Sequence, residues 1–139
     1  VANSEELFEV STKFSMFIKG ISHEWNKRGY KLNITQFKLL YKLEKDGPQK
    51  VSELAQAIYI TPAAVTGVTD QLLAEEYVKK ERSSIDRRVV DITITSKGKA
   101  AIEEILKDQE KLMHMHFRKL SEEDIQHLKR IFTILNSNI

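Results

Sequence analysis

"VSELAQAIYITPAAVTGVTDQLLAEEYVKK", Val51 to Lys80, holds two short helical patterns and the start of a strand. Ser52 is placed to cap the first helix, with Leu54, Ala55 and Ile58 facing inward. Thr61 caps the second, and Pro62 takes its first helical position, where a missing N–H costs nothing. A turn of about three residues separates them, the spacing of a helix-turn-helix. Ala55 is small where the two helices cross, and Val65, Val68 and Leu72 share the inward face of the second. Outward lie Thr61, Ala63, Ala64, Thr66, Gly67, Asp70 and Gln71. These side chains are mostly short and uncharged, a surface that lets a helix backbone approach base edges and phosphates, with Gln71 able to reach further.

From Tyr77 the apolar period changes from 3.6 to 2. "YVKKER" and "VVDITIT" read as two strands, the second with Val90, Ile92 and Ile94 on one face and Asp91 and Thr93 on the other. Ser83 to Arg87 then form a hairpin loop. In an extended loop Asp86 and Arg88, two apart, point to the same side, so the carboxylate can hold the guanidinium in a fixed direction. Arg87 points elsewhere and is free for a phosphate. A helix pair followed by a basic hairpin is a winged helix-turn-helix: the second helix enters the major groove, and the wing grips the backbone or enters the minor groove. An oriented arginine suits a narrow A·T-rich minor groove, where negative potential concentrates. The DNA contacts expected are Ser52, Thr61, Pro62, Ala63, Ala64, Thr66, Gly67, Gln71, Arg82, Arg87 and Arg88, with Asp86 supporting the wing.

Charge agrees with this placement. The 139 residues carry a net charge of only +2. Between Tyr77 and Lys99, however, Lys79, Lys80, Arg82, Arg87, Arg88, Lys97 and Lys99 face only Glu81, Asp86 and Asp91, so the basic character is concentrated in one segment.

The flanks are helical. Leu7, Val10, Phe14, Phe17, Ile18, Ile21 and Trp25 mark a long helix over about 4–28, with Ser4 as its cap. Asn33 with Gln36 starts a second helix that Gly47 and Pro48 end. Thr95 caps a helix running to about Lys119, and Ser121 with Asp124 opens a last one, with Ile125, Leu128, Phe132 and Leu135 inward. The fold class is mainly α with a small β-hairpin wing: a winged helix-turn-helix over about 34–98, flanked by dimerisation helices over 4–28 and 99–137 in a single domain. Terminal helices this apolar carry more apolar surface than one small core can use, which points to a homodimer.

Other classes of function fit poorly. Without cysteine there are no disulfides, thiolate metal sites or thiol redox sensors, and a reducing cytoplasmic location is the default. No apolar run reaches the roughly 20 residues of a membrane span, and the first residues lack the pattern of a signal peptide. His114 and His116 lie about 200° apart around a helix and do not share an ion, so no metal or other cofactor is expected. No nucleophile-base grouping or Gly-rich phosphate loop marks an enzyme. The remaining rival is a winged domain serving as a protein-interaction module. It has little use for Asp86, Arg87 and Arg88 beside Lys79, Lys80 and Arg82.

Together, "LNITQFKLLYKL", the Val51 to Lys80 run and "DRRVVDITITSKG" resemble the multiple-antibiotic-resistance regulator (MarR) family of bacterial transcription factors, over nearly the whole chain. The resemblance implies a homodimer built from the first and last two helices, binding a pseudo-palindrome in double-stranded DNA, most often as a repressor. It implies that Arg88 is the minor-groove residue and Asp86 its support. It further implies a pocket for a small aromatic or lipophilic effector, lined by Phe17, Ile21, Trp25, Phe37 and Tyr41. Two positions depart from the family's habit: Gln71 stands where arginine is frequent, and Gly67 where a larger polar residue is common.

Overall fold

A computed structural model describes residues 1–137. Its elements run α1 (Ser4–Arg28), α2 (Ile34–Asp46), α3 (Val51–Ile58), α4 (Pro62–Ala74), β1 (Val78–Arg82), β2 (Val90–Ile94), α5 (Ser96–Phe117) and α6 (Glu122–Asn136). Two compact units divide the chain, Val1–Ile102 and Glu103–Ile139.

The first unit has its core where α2, α3, α4 and the hairpin meet. Leu39, Leu40 and Leu43 of α2, Leu54 and Ala55 of α3, Val65 and Leu72 of α4, Val78 of β1 and Ile92 of β2 are all buried. Burial of each leucine contributes about 1.5–3 kcal/mol, so this cluster sets the positions of the two short helices. Asn33 and Gln36 close the expected capping box on α2. Thr61 Oγ1 accepts from the Ala64 N–H at 3.1 Å, with Pro62 at the first helical position, as expected for α4. Between α3 and α4 the chain turns at Tyr59, which adopts left-handed backbone angles (φ 56°) and ends α3.

β1 and β2 pair antiparallel, Val78 opposite Ile94 and Arg82 opposite Val90. Gln49, before α3, also exchanges two backbone hydrogen bonds with Ile92, at 3.1 and 2.8 Å, and so fixes the base of the wing to the α2–α3 connection. That pairing overturns one expected cap. Gln49 holds the backbone extended up to Lys50, and α3 starts at Val51, where the Glu53 carboxylate accepts from the Lys50 N–H at 2.9 Å. Ser52 therefore lies inside the first turn and is not the cap. Similarly Asn3, rather than Ser4, caps α1 by accepting from the Glu6 N–H at 2.9 Å.

The start of α5 is tied to the end of α4. Thr95 Oγ1 accepts from the Gly98 N–H at 3.1 Å and donates to Glu76 O at 2.7 Å. The Thr95 N–H donates to Tyr77 O at 3.0 Å, and Lys97 Nζ to Glu75 O at 2.8 Å. Three consecutive carbonyls are thus held by one helical turn. A Cβ on Gly98 would lie 2.3 Å from Tyr77 O and 2.8 Å from Ile94 Cγ1, so this approach demands glycine.

In the second unit Ile105 and Leu112 of α5 are buried. α5 ends at Phe117, two residues earlier than expected, because the Leu120 N–H closes a turn on Phe117 O. Ser121 caps α6 as expected, accepting from the Asp124 N–H. The apolar stripes of the terminal helices are not core in the single chain. In α1 only Trp25 is buried, and Leu7, Phe8, Val10, Phe14, Met16, Phe17 and Ile18 are exposed. No described residue of α6 is buried, contrary to the inward placement expected of Ile125, Leu128, Phe132 and Leu135.

Candidate nucleic-acid interface

The exposed side of α4 carries the short residues the sequence places there. Ala63, Ala64, Thr66, Gly67, Asp70 and Gln71 are all exposed, and Val65, Thr69 and Leu72 are buried on the opposite side. A Cβ added at Gly67 would meet nothing within 4 Å, so packing does not require glycine there. Thr66 Oγ1 donates to Pro62 O at 3.1 Å. Gln71 is not free: its Oε1 accepts from Gln36 Nε2 at 3.0 Å.

The wing loop is braced from within. Ser83 Oγ accepts from the backbone N–H groups of Ile85 and Asp86, at 3.2 and 3.4 Å. The Ser83 N–H donates to Val89 O, and the Val89 N–H to Asp86 O. Arg82 Nη1 donates to Arg87 O at 2.9 Å, so Arg82 holds the loop's shape whatever else it touches. Asp86 receives three bonds from Arg88: the backbone N–H at 3.0 Å and Nε at 3.1 Å on Oδ1, and Nη2 at 3.0 Å on Oδ2. The guanidinium is gripped along one edge, in the two-pronged geometry that fixes direction as well as position. Its side chain is nevertheless 91% exposed. Arg87 makes no side-chain hydrogen bond or ion pair with any described residue.

The Arg88 side chain, and then the Arg88 N–H, hold the Asp86 carboxyl below its usual value, and Asp86 in turn raises Arg88. A depressed carboxylate keeps its partner as pH falls until its own lowered pKa is reached, so the pair stays intact across neutral and mildly acidic pH. In an NMR titration the Asp86 carboxyl should therefore have its midpoint below the ordinary aspartate value. Arg88→Gln should move it up, and an unmoved midpoint would mean that the pair does not form in solution.

The model of the MarR family matches residues 32–90, from the start of α2 to the end of this wing loop. Over 90 residues, 65% of the chain, the sequence is 33% identical to the HTH-type transcriptional repressor MdtR of Bacillus subtilis. Residues 32–90 match the MarR family. The stretch shared with MdtR spans 58% of that protein's own length. Two solved structures share the fold of this chain. The transcriptional regulator BldR from Sulfolobus solfataricus superimposes with a TM-score of 0.85 at 22% identity, covering 100% of each chain. Bordetella bronchiseptica BpsR, whose DNA binding is regulated by 6-hydroxynicotinic acid, does so with 0.80 at 22% identity, covering 92% of this chain and 98% of its own.

Of the five residues expected around an effector, Trp25 borders one hollow and Phe37 with Tyr41 another. Trp25 borders an open hollow of about 300 Å³ with Tyr30, Leu32, Asn33 and Gln36. Phe37 and Tyr41 border another, about 420 Å³, with Lys38, Lys42, Lys45 and Tyr59. Phe17 is exposed and Ile21 half-buried. The aromatic rings do form a continuous row, Trp25 against Phe37 at 5.2 Å and Phe37 against Tyr41 at 5.8 Å, and Trp25 Nε1 donates to Leu32 O at 3.0 Å. That hydrogen bond and the burial of Trp25 fit a core ring as well as a pocket wall. Two hydrogen bonds escaped the sequence reading. Gln36 was legible only as a cap, and nothing local tells that its side chain also reaches α4. Arg82 carried a charge signal but no sign of its bond across the loop.

Proposed function

We propose that this chain is a sequence-specific DNA-binding transcriptional regulator, acting as a homodimer on a pseudo-palindromic operator, most simply as a repressor. The observation that carries the proposal is Arg88: a guanidinium aimed by Asp86 and still 91% exposed, at the end of a braced wing. A purely structural ion pair has no need to leave its cation so open. An arginine held out this way is suited to the negative potential of a narrow minor groove. Alongside it, α4 offers Thr61, Pro62, Ala63, Ala64, Thr66 and Gly67 to the major groove, with Gln71 at its far end. Gly67 costs helix stability without any gain in packing, and close approach to DNA accounts for it. Ser52, in the exposed first turn of α3, and Arg87 serve as phosphate contacts.

The dimer would cover the exposed apolar residues of α1 and α6, burying Leu7, Val10, Ile131 and Leu135 among others. A two-fold dimer presents two recognition helices to half-sites about one helical turn apart or a multiple of it, so the operator mirrors the protein. No described helix is long and apolar enough to cross a membrane. A cytoplasmic location belongs to the proposal, as does an aromatic or lipophilic effector at the Trp25, Phe37 and Tyr41 row, by analogy with the regulation of BpsR.

Fluorescence anisotropy with DNA from upstream of the protein's own gene tests this, against a scrambled duplex and at several salt concentrations, with sedimentation to give the stoichiometry. The expected result is tight binding to one sequence by two chains, with a steep fall as salt rises. Equal weak binding to every duplex, including one enriched from a random pool, would refute the reading.

A further inference from the structure

Gln36 and Gln71 are 35 residues apart in the chain and joined by one hydrogen bond, 3.0 Å long. The oxygen and nitrogen of a side-chain amide are told apart by their partners, and here the partners settle every orientation in turn. The backbone N–H of Asn33 can only donate, and at 2.9 Å it meets the amide end of Gln36, which is therefore Oε1. This leaves Gln36 with its NH2 group toward α4. An NH2 group does not accept, so the Gln71 atom it meets is the oxygen. The end of Gln71 that remains is its own NH2 group, which bonds to no described residue.

Gln71 is exposed and lies on one row of α4 with Ala64 and Gly67, seven and four residues before it. These two small residues leave the space over the row open, so Gln71 is the long polar group a duplex lying along this face would meet. An unrestrained glutamine pairs with adenine, donating to N7 while its oxygen accepts from N6. A glutamine whose oxygen is already held cannot make that pair.

Resting on the DNA-binding reading above, we propose that Gln36 is a positioning residue that turns Gln71 into a donor-only reader of one base. It selects guanine, which sets the acceptors N7 and O6 side by side in the major groove. Adenine, with a donor beside its acceptor, is disfavoured, and cytosine, whose edge offers only a donor, is rejected.

The test is selection of half-sites from randomised duplex DNA with the wild-type protein, Gln71→Ala and Gln36→Glu, each checked by thermal melting. Glutamate at position 36 keeps the capping box, since a carboxylate accepts the Asn33 N–H as well as an amide does. Its second oxygen also only accepts, so Gln71 must turn its NH2 group inward and its oxygen outward. The position whose preference Gln71→Ala erases should be guanine for the wild type. In Gln36→Glu it should change to a donor-bearing edge, cytosine or adenine, by roughly tenfold at that position, with the others unchanged. The switch in base identity, rather than any loss of affinity, is the decisive readout, because a merely structural role for Gln36 would not produce it. If Gln71→Ala erases no position, or Gln36→Glu retains guanine, the inference is wrong while DNA binding stands. A wild-type selection that enriches no sequence overturns both.

Discussion

Arg88→Ala is expected to weaken binding to the specific operator by about 1–3 kcal/mol, roughly 5- to 150-fold in Kd, with the fold unchanged. The side chain is almost wholly exposed and packs against nothing in the core, so its removal leaves no cavity. What disappears is an exposed cation whose direction is fixed before DNA arrives. Asp86→Ala should lose a part of the same affinity, because Arg88 then has to be ordered at the moment of binding, at a cost in side-chain entropy. Anisotropy titrations of the two single variants and the double variant separate these contributions. Additive losses would show that Asp86 does not act through Arg88, and full operator affinity in Arg88→Ala would remove the wing arginine from the mechanism.

The largest effect on stability is expected at Gly98. Alanine there would set a methyl carbon 2.3 Å from Tyr77 O, a backbone carbonyl that already accepts from the Thr95 N–H, and 2.8 Å from Ile94 Cγ1. Neither the wing base nor the first turn of α5 can withdraw without breaking bonds to Glu75, Glu76 or Tyr77. Overpacking of this kind costs about 1–3 kcal/mol or more, against a gain of about 1 kcal/mol in helix propensity. A net loss of about 2 kcal/mol would lower Tm by roughly 4–8 °C. Gly67→Ala supplies the control. It meets no neighbour, so it should raise thermal stability by up to about 1 kcal/mol. A Gly98→Ala protein that melts at or above the wild-type temperature would mean that the contact relaxes freely.

Local chemistry made most of the fold legible. Pro62 at the start of α4, the Asn33 and Gln36 capping box and the change of period at Tyr77 each depend on residues within a few positions of one another. The Asp86–Arg88 pair was legible for the same reason, two residues of an extended loop pointing one way. What escaped depends on partners distant in sequence. The start of α3 is set by Gln49 pairing with Ile92, more than forty residues on, and this overrode the cap that Ser52 offers locally. Gln36 reaches Gln71 only because the core brings α2 against α4. Hydrophobic period also cannot say what covers an apolar stripe, and so α6 read as inward although none of its described residues is buried in the single chain.

The bonds from Thr95 and Lys97 to the carbonyls of residues 75–77 also decide where this chain can be cut. A fragment stopping at Ile94, the end of the last strand, would leave those carbonyls without partners and Tyr77 without the helical turn that packs on it. The compact unit instead runs on to Ile102, one turn past Gly98. Anyone moving the Val1–Ile102 unit onto another scaffold should therefore carry the first two turns of α5 with it and make the splice beyond them.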